Sequence, residues 1–201
     1  MSLKVTGYLL LSLVFCCLFL NNGFTQAQAK PTVKVMINEQ IWVDEEIIYD
    51  YYGNLADIVN IWTNTSQADT TIIESLLKNG YRVVGSAGPG ANKVNVPKEN
   101  ILNATEGDDL SSINIGNHLK ADLIIVGKAV AKGSSPVAQS AQVSARANIN
   151  ARVIKIDTGE IIATASDSAT AVAIDEISAG NEAIKKAAIT LAESLIKKIS
   201  Q

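Results

Sequence analysis

The chain has 201 residues, of which 47% are hydrophobic and 18% are charged, and its formal net charge is −3. This balance is typical of a globular protein that is long enough to form one domain with a proper core. Because the chain has no basic excess and only 5% aromatic residues, its composition argues against nucleic-acid binding.

The first 29 residues have the features of an export signal. Lys4 supplies a positive charge, residues 8–20 form an apolar run, and Ala27 and Ala29 form a small-x-small pattern. Signal peptidase recognises this pattern, and the run is shorter than the roughly 20 residues of a transmembrane helix. We therefore predict a signal peptide over residues 1–29 that is cleaved after Ala29.

The only cysteines, Cys16 and Cys17, offer an alternative processing site. A lipoprotein begins at an acylated cysteine, but a bulky residue, Phe15, precedes the first of the two. Cleavage after Ala29 leaves a mature chain without cysteines, and therefore without disulfides. We expect residues 30–201 to form a single periplasmic α/β domain, and outer-membrane association stays open.

The stretch from residue 38 to residue 65 is the hardest part to interpret. It follows a first predicted strand over residues 33–37 and carries the acidic patch Asp44-Glu45-Glu46. Much of the aromatic content of the chain also lies here, as Trp42, Tyr49, Tyr51, Tyr52 and Trp62. We interpret the stretch as a long loop or helical excursion that its aromatic side chains pin to the body. The alternative is a partner-binding insertion, because Trp and Tyr are enriched in interface hot spots.

The middle of the chain alternates between helices and strands. Ser66 and Gly80 are typical helix boundaries, and the helix between them should bury the stripe Ile72, Ile73, Leu76 and Leu77. A strand is predicted over residues 81–84, a loop over 85–97 and a helix over 108–119 that starts at Asp108 or Asp109. Residues 121–130 read as a central strand, because their apolar run is nearly unbroken.

A long hairpin from Ala141 to Ala173 organises the chain, with its turn at residues 157–159. Small apolar residues alternate with polar residues on both sides of the turn, which indicates strands with one buried and one solvated face. A three-residue loop with a left-handed Gly159 pairs Ile156 with Glu160. In this register three pairs of small apolar residues share one face: Val153 with Ala163, Ala151 with Ala165, and Ala147 with Ala169.

Residues 176–199 form an amphipathic terminal helix in this interpretation, with lysines near its C-terminal end. Its apolar stripe consists of Ile184, Ala187, Ala188, Leu191, Ala192, Leu195, Ile196 and Ile199. The alanine face of the hairpin is the natural surface to receive this stripe. The predicted order is β-α-β-α-β-β-β-α, an α/β (α+β) fold with a mixed sheet covered by helices on at least one face.

Reactive groups are scarce in the sequence. The segment beginning at Gly85 has the glycine spacing of a phosphate-binding loop, but Ala91 stands where that loop requires lysine. His118 is the only histidine and is interpreted as a solvated residue near a helix end. The acidic pairs Glu45-Glu46 and Asp108-Asp109 are expected to point into water. We predict no catalytic, cofactor-binding or metal-binding residue, and no enzyme.

Five segments together resemble a family of exported α/β domains. They are VKVMINEQ, LLKNGYRVV, ADLIIVGKA, ARVIKIDTGEIIATAS and EAIKKAAITLAESLIKKI. The chain from Thr32 onward resembles the middle domain of flagellar assembly protein T, the curli secretion lipoprotein CsgG and the amino-terminal domain of TolB. This resemblance implies a TolB-N-like, anticodon-binding-domain-like fold and a protein that acts by assembly. It does not imply a curli-type pore, because neither face of the hairpin suits lipid.

Two functional hypotheses follow. The first is a non-catalytic periplasmic assembly or scaffold protein that binds an envelope partner or self-associates, with Arg146 and Arg152 as docking points on the polar hairpin face. The second is a small-ligand-binding module that uses the loops after Ile37, Val84 and Val130, where ligands sit in open α/β sheets. The residues expected to line that crevice are Asp44, Glu45, Glu46, Tyr51 and Arg82.

Overall fold

A computed structural model of the chain describes residues 30–85, 97–136 and 140–201. The described residues form a six-stranded sheet and four helices. The strands are β1 Thr32–Tyr49, β2 Leu55–Asn64, β3 Arg82–Val83, β4 Leu123–Pro136, β5 Val143–Lys155 and β6 Ile161–Ala173. The helices are α1 Gln67–Lys78, α2 Lys98–Glu106, α3 Asp109–Leu119 and α4 Glu176–Ile199.

The sheet is mixed, as the sequence predicts. Its strand order is β2-β1-β4-β5-β6, and the short β3 pairs with the start of β1. Strand β1 runs parallel to β3 and β4, whereas the β1–β2, β4–β5 and β5–β6 pairs are antiparallel. The nearly continuous apolar run that begins at Leu123 forms the strand in the centre of this order.

The β5–β6 hairpin has the predicted register. Val153 lies opposite Ala163, Ala151 opposite Ala165 and Ala147 opposite Ala169. Gly159 is left-handed, with φ of 72°. Glu160 was predicted to pair with Ile156, but in the structure its partner is the preceding residue. The Lys155 N–H donates to the Glu160 carbonyl at 2.8 Å. A register shift after Val153 moves the last ladder bond to Lys155.

Helix α4 packs on the alanine face of this hairpin, and its predicted bounds are confirmed. Its buried residues are Ala179, Gly180, Ala183, Ile184, Ala187, Ala188, Leu191, Ala192 and Leu195. They share one core cluster with hairpin residues such as Ala147, Ala151 and Ala163. The helix approaches β1 so closely that a Cβ on Gly180 would lie 2.8 Å from Ile41 Cγ2.

The opposite face of the sheet is covered at one end by α2 and α3. A second core cluster there consists of Met36, Ala104, Ile115, Ile124, Val126, Ile154 and Ile156. Helix α2 was not expected from the sequence; it begins after Pro97 and ends before Gly107, whose φ is 125°. Helix α3 is confirmed, and the side chain of Asp108 caps it by accepting from the Leu110 N–H at 3.1 Å.

Helix α1 is also confirmed, but its buried stripe differs from the predicted one. Ile72 and Leu76 are buried as expected, Ile73 is half-buried, and Leu77 is 54% exposed. Ala68 and Thr71 take the remaining buried positions. The buried face of α1 is therefore centred on Ala68, Ile72 and Leu76, and Leu77 lies outside it.

Two carboxylates, the buried Glu39 and the half-buried Asp69, join α1 to β1. Glu39 accepts from the backbone N–H groups of Ala68, at 2.8 Å, and Asp69, at 2.7 Å. In return Asp69 accepts from the Ile37 N–H at 2.8 Å. Burial raises the pKa of both carboxyl groups and lowers the pKa of the neighbouring Lys34 ammonium. Glu39 thus caps α1 from a distance, since the Ser66 side chain makes no capping hydrogen bond.

The interpretation of residues 38–65 as a loop or helical excursion is wrong. Strand β1 continues to Tyr49, and β2 returns beside it as an antiparallel partner. Nor do the aromatic residues pin this segment to the body, because Tyr49, Tyr51, Tyr52 and Trp62 are exposed. With α2 added, the element order becomes β-β-α-β-α-α-β-β-β-α.

Several sequence predictions lie outside the described residues. These are the signal peptide over residues 1–29, Cys16 and Cys17 within it, and the glycine-rich segment 86–96. Among the described residues, no helix combines the length and apolarity needed to cross a membrane.

Candidate functional site

The most unusual surface of the molecule is a β-hairpin arm, defined here as residues 44–62. It consists of the distal part of β1, the turn and most of β2. Every residue of the arm is exposed. The six β1 residues of the arm, at about 3.3 Å each, give it a length of roughly 20 Å.

Large apolar side chains occupy both faces of the arm. They are Ile47, Ile48, Tyr49, Tyr51, Tyr52, Leu55, Ile58, Val59, Ile61 and Trp62. Tyr51, at the tip, is 97% exposed. An isolated two-stranded hairpin is at best marginally stable in water, and a contiguous apolar patch of this kind typically marks an interaction site. The arm therefore has the character of a surface that a partner covers.

The arm is also acidic. Its carboxylates are Asp44, Glu45, Glu46, Asp50 and Asp57, and it contains no Lys or Arg. Asp50 has a structural role, because its Oδ1 accepts from the N–H groups of Tyr52 and Asn54 at 2.8 Å each. These hydrogen bonds lower the pKa of Asp50, and those from Asn54 have the largest effect. The turn is therefore defined by specific hydrogen bonds, and the other four carboxylates remain at the surface.

A row of side chains joins the arm to the rest of the sheet. The strand registers place Trp62 beside Trp42, Trp42 beside Lys132, Lys132 beside Arg146, and Arg146 beside Thr170. The Lys132 Nζ lies 4.7 Å from the Trp42 ring centroid, within cation–π range. Trp42 Nε1 donates to Asn60 Oδ1 at 2.9 Å, which fixes the indole at the base of the arm.

The same row crosses a polar part of the sheet that α2 and α3 leave uncovered. This open face consists of Lys128, Val130, Lys132, Arg146, Asn148, Asn150, Ser166, Ser168 and Thr170. It is the solvated face of the predicted hairpin, extended onto β4. Its charged side chains are basic, in contrast with those of the arm.

Arg152, proposed from the sequence as a docking point, is held by the body of the protein. Its Nη2 lies 2.8 Å from Asp109 Oδ1, at the start of α3. A second ion pair joins Lys155 to Asp157, and neither of these two pairs involves Lys132 or Arg146. Arg146 is thus the one of the two predicted docking arginines that faces solvent without an ion pair among the described residues.

The predicted ligand crevice does not form. Asp44, Glu45, Glu46 and Tyr51 lie on the arm, whereas Arg82 pairs beside Thr32 at the opposite end of β1. Ile37 and Val130 are not strand ends, because β1 and β4 both continue past them. A groove of about 630 Å³ exists elsewhere, beside Arg152 and the C-terminal end of α2, and none of the five predicted residues lines it.

His118 lies exposed in the last turn of α3, as the sequence suggests. Asp108 caps that helix, and Glu45 and Glu46 belong to the arm. Within the described ranges, no group of three or more His, Cys, Asp or Glu side chains has the arrangement of a metal site. Sequence reasoning missed the exposure of the arm and the neighbouring cations Lys132 and Arg146. The density of Ile, Val, Tyr and Trp around Gly53 is the signal that favours a hairpin there.

The chain matches one family model over residues 47–196, which is most of its length: the TP0693-like lipoprotein, C-terminal domain. The chain belongs to this family. The matched range includes most of the arm, the whole β5–β6 hairpin and nearly all of α4. The match supports a lipoprotein family, and it does not support the flagellar assembly T, CsgG or TolB families named from the sequence resemblance.

Several solved structures resemble this chain at low identity and with TM-scores below 0.5. The C-terminal domain of LpoB from Salmonella enterica is 14% identical, with a TM-score of 0.34, over 72% of this chain and 85% of that one. The PelC dodecamer from Paraburkholderia phytofirmans is 10% identical, with a TM-score of 0.41, over 88% and 91%. Lipoprotein GNA1162 from Neisseria meningitidis is 10% identical, with a TM-score of 0.37, over 85% and 98%. No curated protein matches the chain significantly.

Proposed function

We propose that this TP0693-like protein is a non-catalytic assembly or scaffold protein of the bacterial envelope, and that it binds protein partners through the arm. The observation that carries the proposal is the exposure of ten large apolar side chains on residues 44–62. Burying one such side chain typically stabilises a complex by about 1.5–3 kcal/mol before the costs of association. Exposure of these apolar side chains to water is unfavourable, and burial in a contact with another protein removes that cost.

The family supports the envelope location. A lipoprotein is held at a membrane by an acylated cysteine, and Cys16 and Cys17 are the only cysteines of the chain. Anchoring through either residue leaves residues 30–201 beside the membrane, where the arm meets other envelope proteins. Cleavage after Ala29 is the processing that the sequence predicts, and it releases the same domain into the periplasm; anchoring through Cys16 or Cys17 is the alternative.

Chemical crosslinking in cells tests the proposal. The tagged full-length chain is crosslinked and purified as wild type, as an arm variant with Ile58→Thr and Ile61→Thr, and as a control with Leu110→Gln. Leu110 is an exposed apolar residue of α3, remote from the arm. Threonine preserves the β-branched shape that strands favour, so the arm variant should keep its hairpin.

We expect the wild type and the control to form the same crosslinked complexes, either with other envelope proteins or with further copies, and the arm variant to lose them. The proposal fails if the wild type forms no complex. It also fails if the arm variant forms the same complexes as the wild type.

A further inference from the structure

We infer that the arm of one copy docks on the open face of a second copy of this chain. The inference rests on the proposed function, since it names the partner that the arm takes. The contact joins two different surfaces of identical chains. Each copy can place its arm on one neighbour and receive the arm of another neighbour on its open face.

Charge complementarity is the first argument. The arm carries Asp44, Glu45, Glu46 and Asp57 as surface carboxylates and has no basic residue. The open face carries Lys128, Lys132 and Arg146 and has no acidic residue among its members. Opposite charges on facing surfaces accelerate association and fix its register. Among the described residues, the open face is thus a basic surface of the sheet, and the arm is an acidic surface of complementary charge.

The second argument is a local cost in the open face. Lys132 and Arg146 are direct cross-strand partners in the β4–β5 register, and like charges in that position are destabilising. Neither takes part in the ion pairs of the described residues. Lys132 is oriented by its contact with the Trp42 ring. Two cations held side by side on a solvated sheet are suited to receive carboxylates from outside the chain.

The third argument is topological. The arm is a continuation of β1, and β1 is the direct neighbour of β4 in the same sheet. In the structure the two strands of the arm pair with each other, and every residue of the arm is exposed. The arm and the open face of one copy therefore do not meet, and their contact must be made between copies. Such a head-to-tail contact generates a closed ring or an open chain.

Charge-reversal variants of the full-length chain, purified in mild detergent, test this arrangement. The arm variant carries Glu45→Lys and Glu46→Lys, and the face variant carries Lys132→Glu and Arg146→Glu. A control with Lys185→Glu and Lys186→Glu makes the same charge change as the face variant on the exposed side of α4. Circular dichroism verifies folding, and sedimentation equilibrium measures mass against protein concentration and salt.

We expect the wild type and the control to self-associate, and more weakly at higher salt because screening reduces the attraction. Each reversal should weaken association by at least about tenfold, since facing like charges are unfavourable. The decisive sample is an equimolar mixture of the two variants. The intact arm of one variant meets the intact face of the other, and the two reversed surfaces also attract each other, so the mixture should regain the association that each variant loses alone. The combined four-substitution variant should associate again, with the charges exchanged.

Three results would overturn the inference. The first is a wild type that stays monomeric at every concentration, the second is a face variant that associates as the wild type does, and the third is a mixture that associates no more strongly than either variant alone. If arm-dependent crosslinks to a different envelope protein persist in cells in any of these cases, the proposed function stands and only the choice of partner falls.

Discussion

Replacement of Glu39 by alanine tests how α1 is attached to the sheet. The substitution removes the acceptor of two backbone N–H groups in the first turn of the helix, those of Ala68 and Asp69. Ala68 is fully buried, so water cannot replace the lost acceptor there. An unsatisfied buried donor costs about 1–3 kcal/mol, and loss of a helix cap typically costs about 1 kcal/mol.

Part of this loss is offset, because the wild-type carboxylate is itself desolvated, as the raised pKa of Glu39 indicates. We therefore expect Glu39→Ala to lower the free energy of unfolding by about 2 kcal/mol, which corresponds to roughly 4–8 °C in Tm for a domain of this size. Glu39→Gln keeps one acceptor oxygen and should cost about half as much.

Urea unfolding followed by circular dichroism measures the effect. Glu74→Ala is the matched control, because Glu74 is an exposed carboxylate of the same helix and its removal should change stability by less than about 0.5 kcal/mol. If Glu39→Ala unfolds at the same urea concentration as Glu74→Ala, the reasoning about the distant cap is wrong.

Three further predictions concern the core, the pH dependence and the N-terminus. Gly180→Ala places a Cβ 2.8 Å from Ile41 Cγ2 and should destabilise the protein by about 1–3 kcal/mol through overpacking; unchanged thermal unfolding would contradict the close contact of α4 with β1. Because burial raises the folded-state pKa of Glu39 above its ordinary value of 4.5, the part of its stabilisation that comes from this pKa difference is full below that pH and is lost as the pH rises through the raised pKa. The stability advantage of the wild type over Glu39→Gln should therefore shrink from acidic towards neutral pH, and an advantage that grows would show a lowered pKa. Intact-mass measurement of the processed chain should show a start at Lys30, whereas a diacylated cysteine at the N-terminus would replace the predicted cleavage with lipid anchoring.

The β5–β6 hairpin and α4 could be predicted from the sequence because burial acts on one face of each. Alternation of Ala and Val with polar residues sets the strand register, and a one-residue shift would expose every alanine. The residues from Glu176 to Ile199 likewise present an apolar stripe at helical spacing. In both elements the pattern and the folded structure have the same cause, which is contact with one core.

The arm could not be predicted in this way, because no core shapes its sequence. Its apolar residues lie on both faces, so neither the period of a half-buried strand nor that of an amphipathic helix appears. Only β-propensity and the turn residues Asp50 and Gly53 remain as signals. The exposure of Leu77 was also missed, because a local pattern does not show contacts such as that of the Ala68 N–H with Glu39, which lies 29 residues earlier in the chain.

The open face was predicted as a polar surface, but its cationic pair was not. Lys132 and Arg146 become neighbours only through the β4–β5 register, which the sequence does not specify at that position. The same holds for the ion pair of Arg152 with Asp109. Contacts between distant segments depend on how the elements are placed in three dimensions, and local patterns carry no information about that placement.

Site-specific photo-crosslinking in cells tests the central claim most directly. A photoreactive amino acid is placed in the full-length chain at Ile58 on the arm or at Ile189 on α4, two apolar positions with similar exposure of 46% and 42%. A protein that works through the arm should form discrete protein adducts from position 58 and none from position 189. Equal adduct formation from both positions, or none from position 58, would contradict the account.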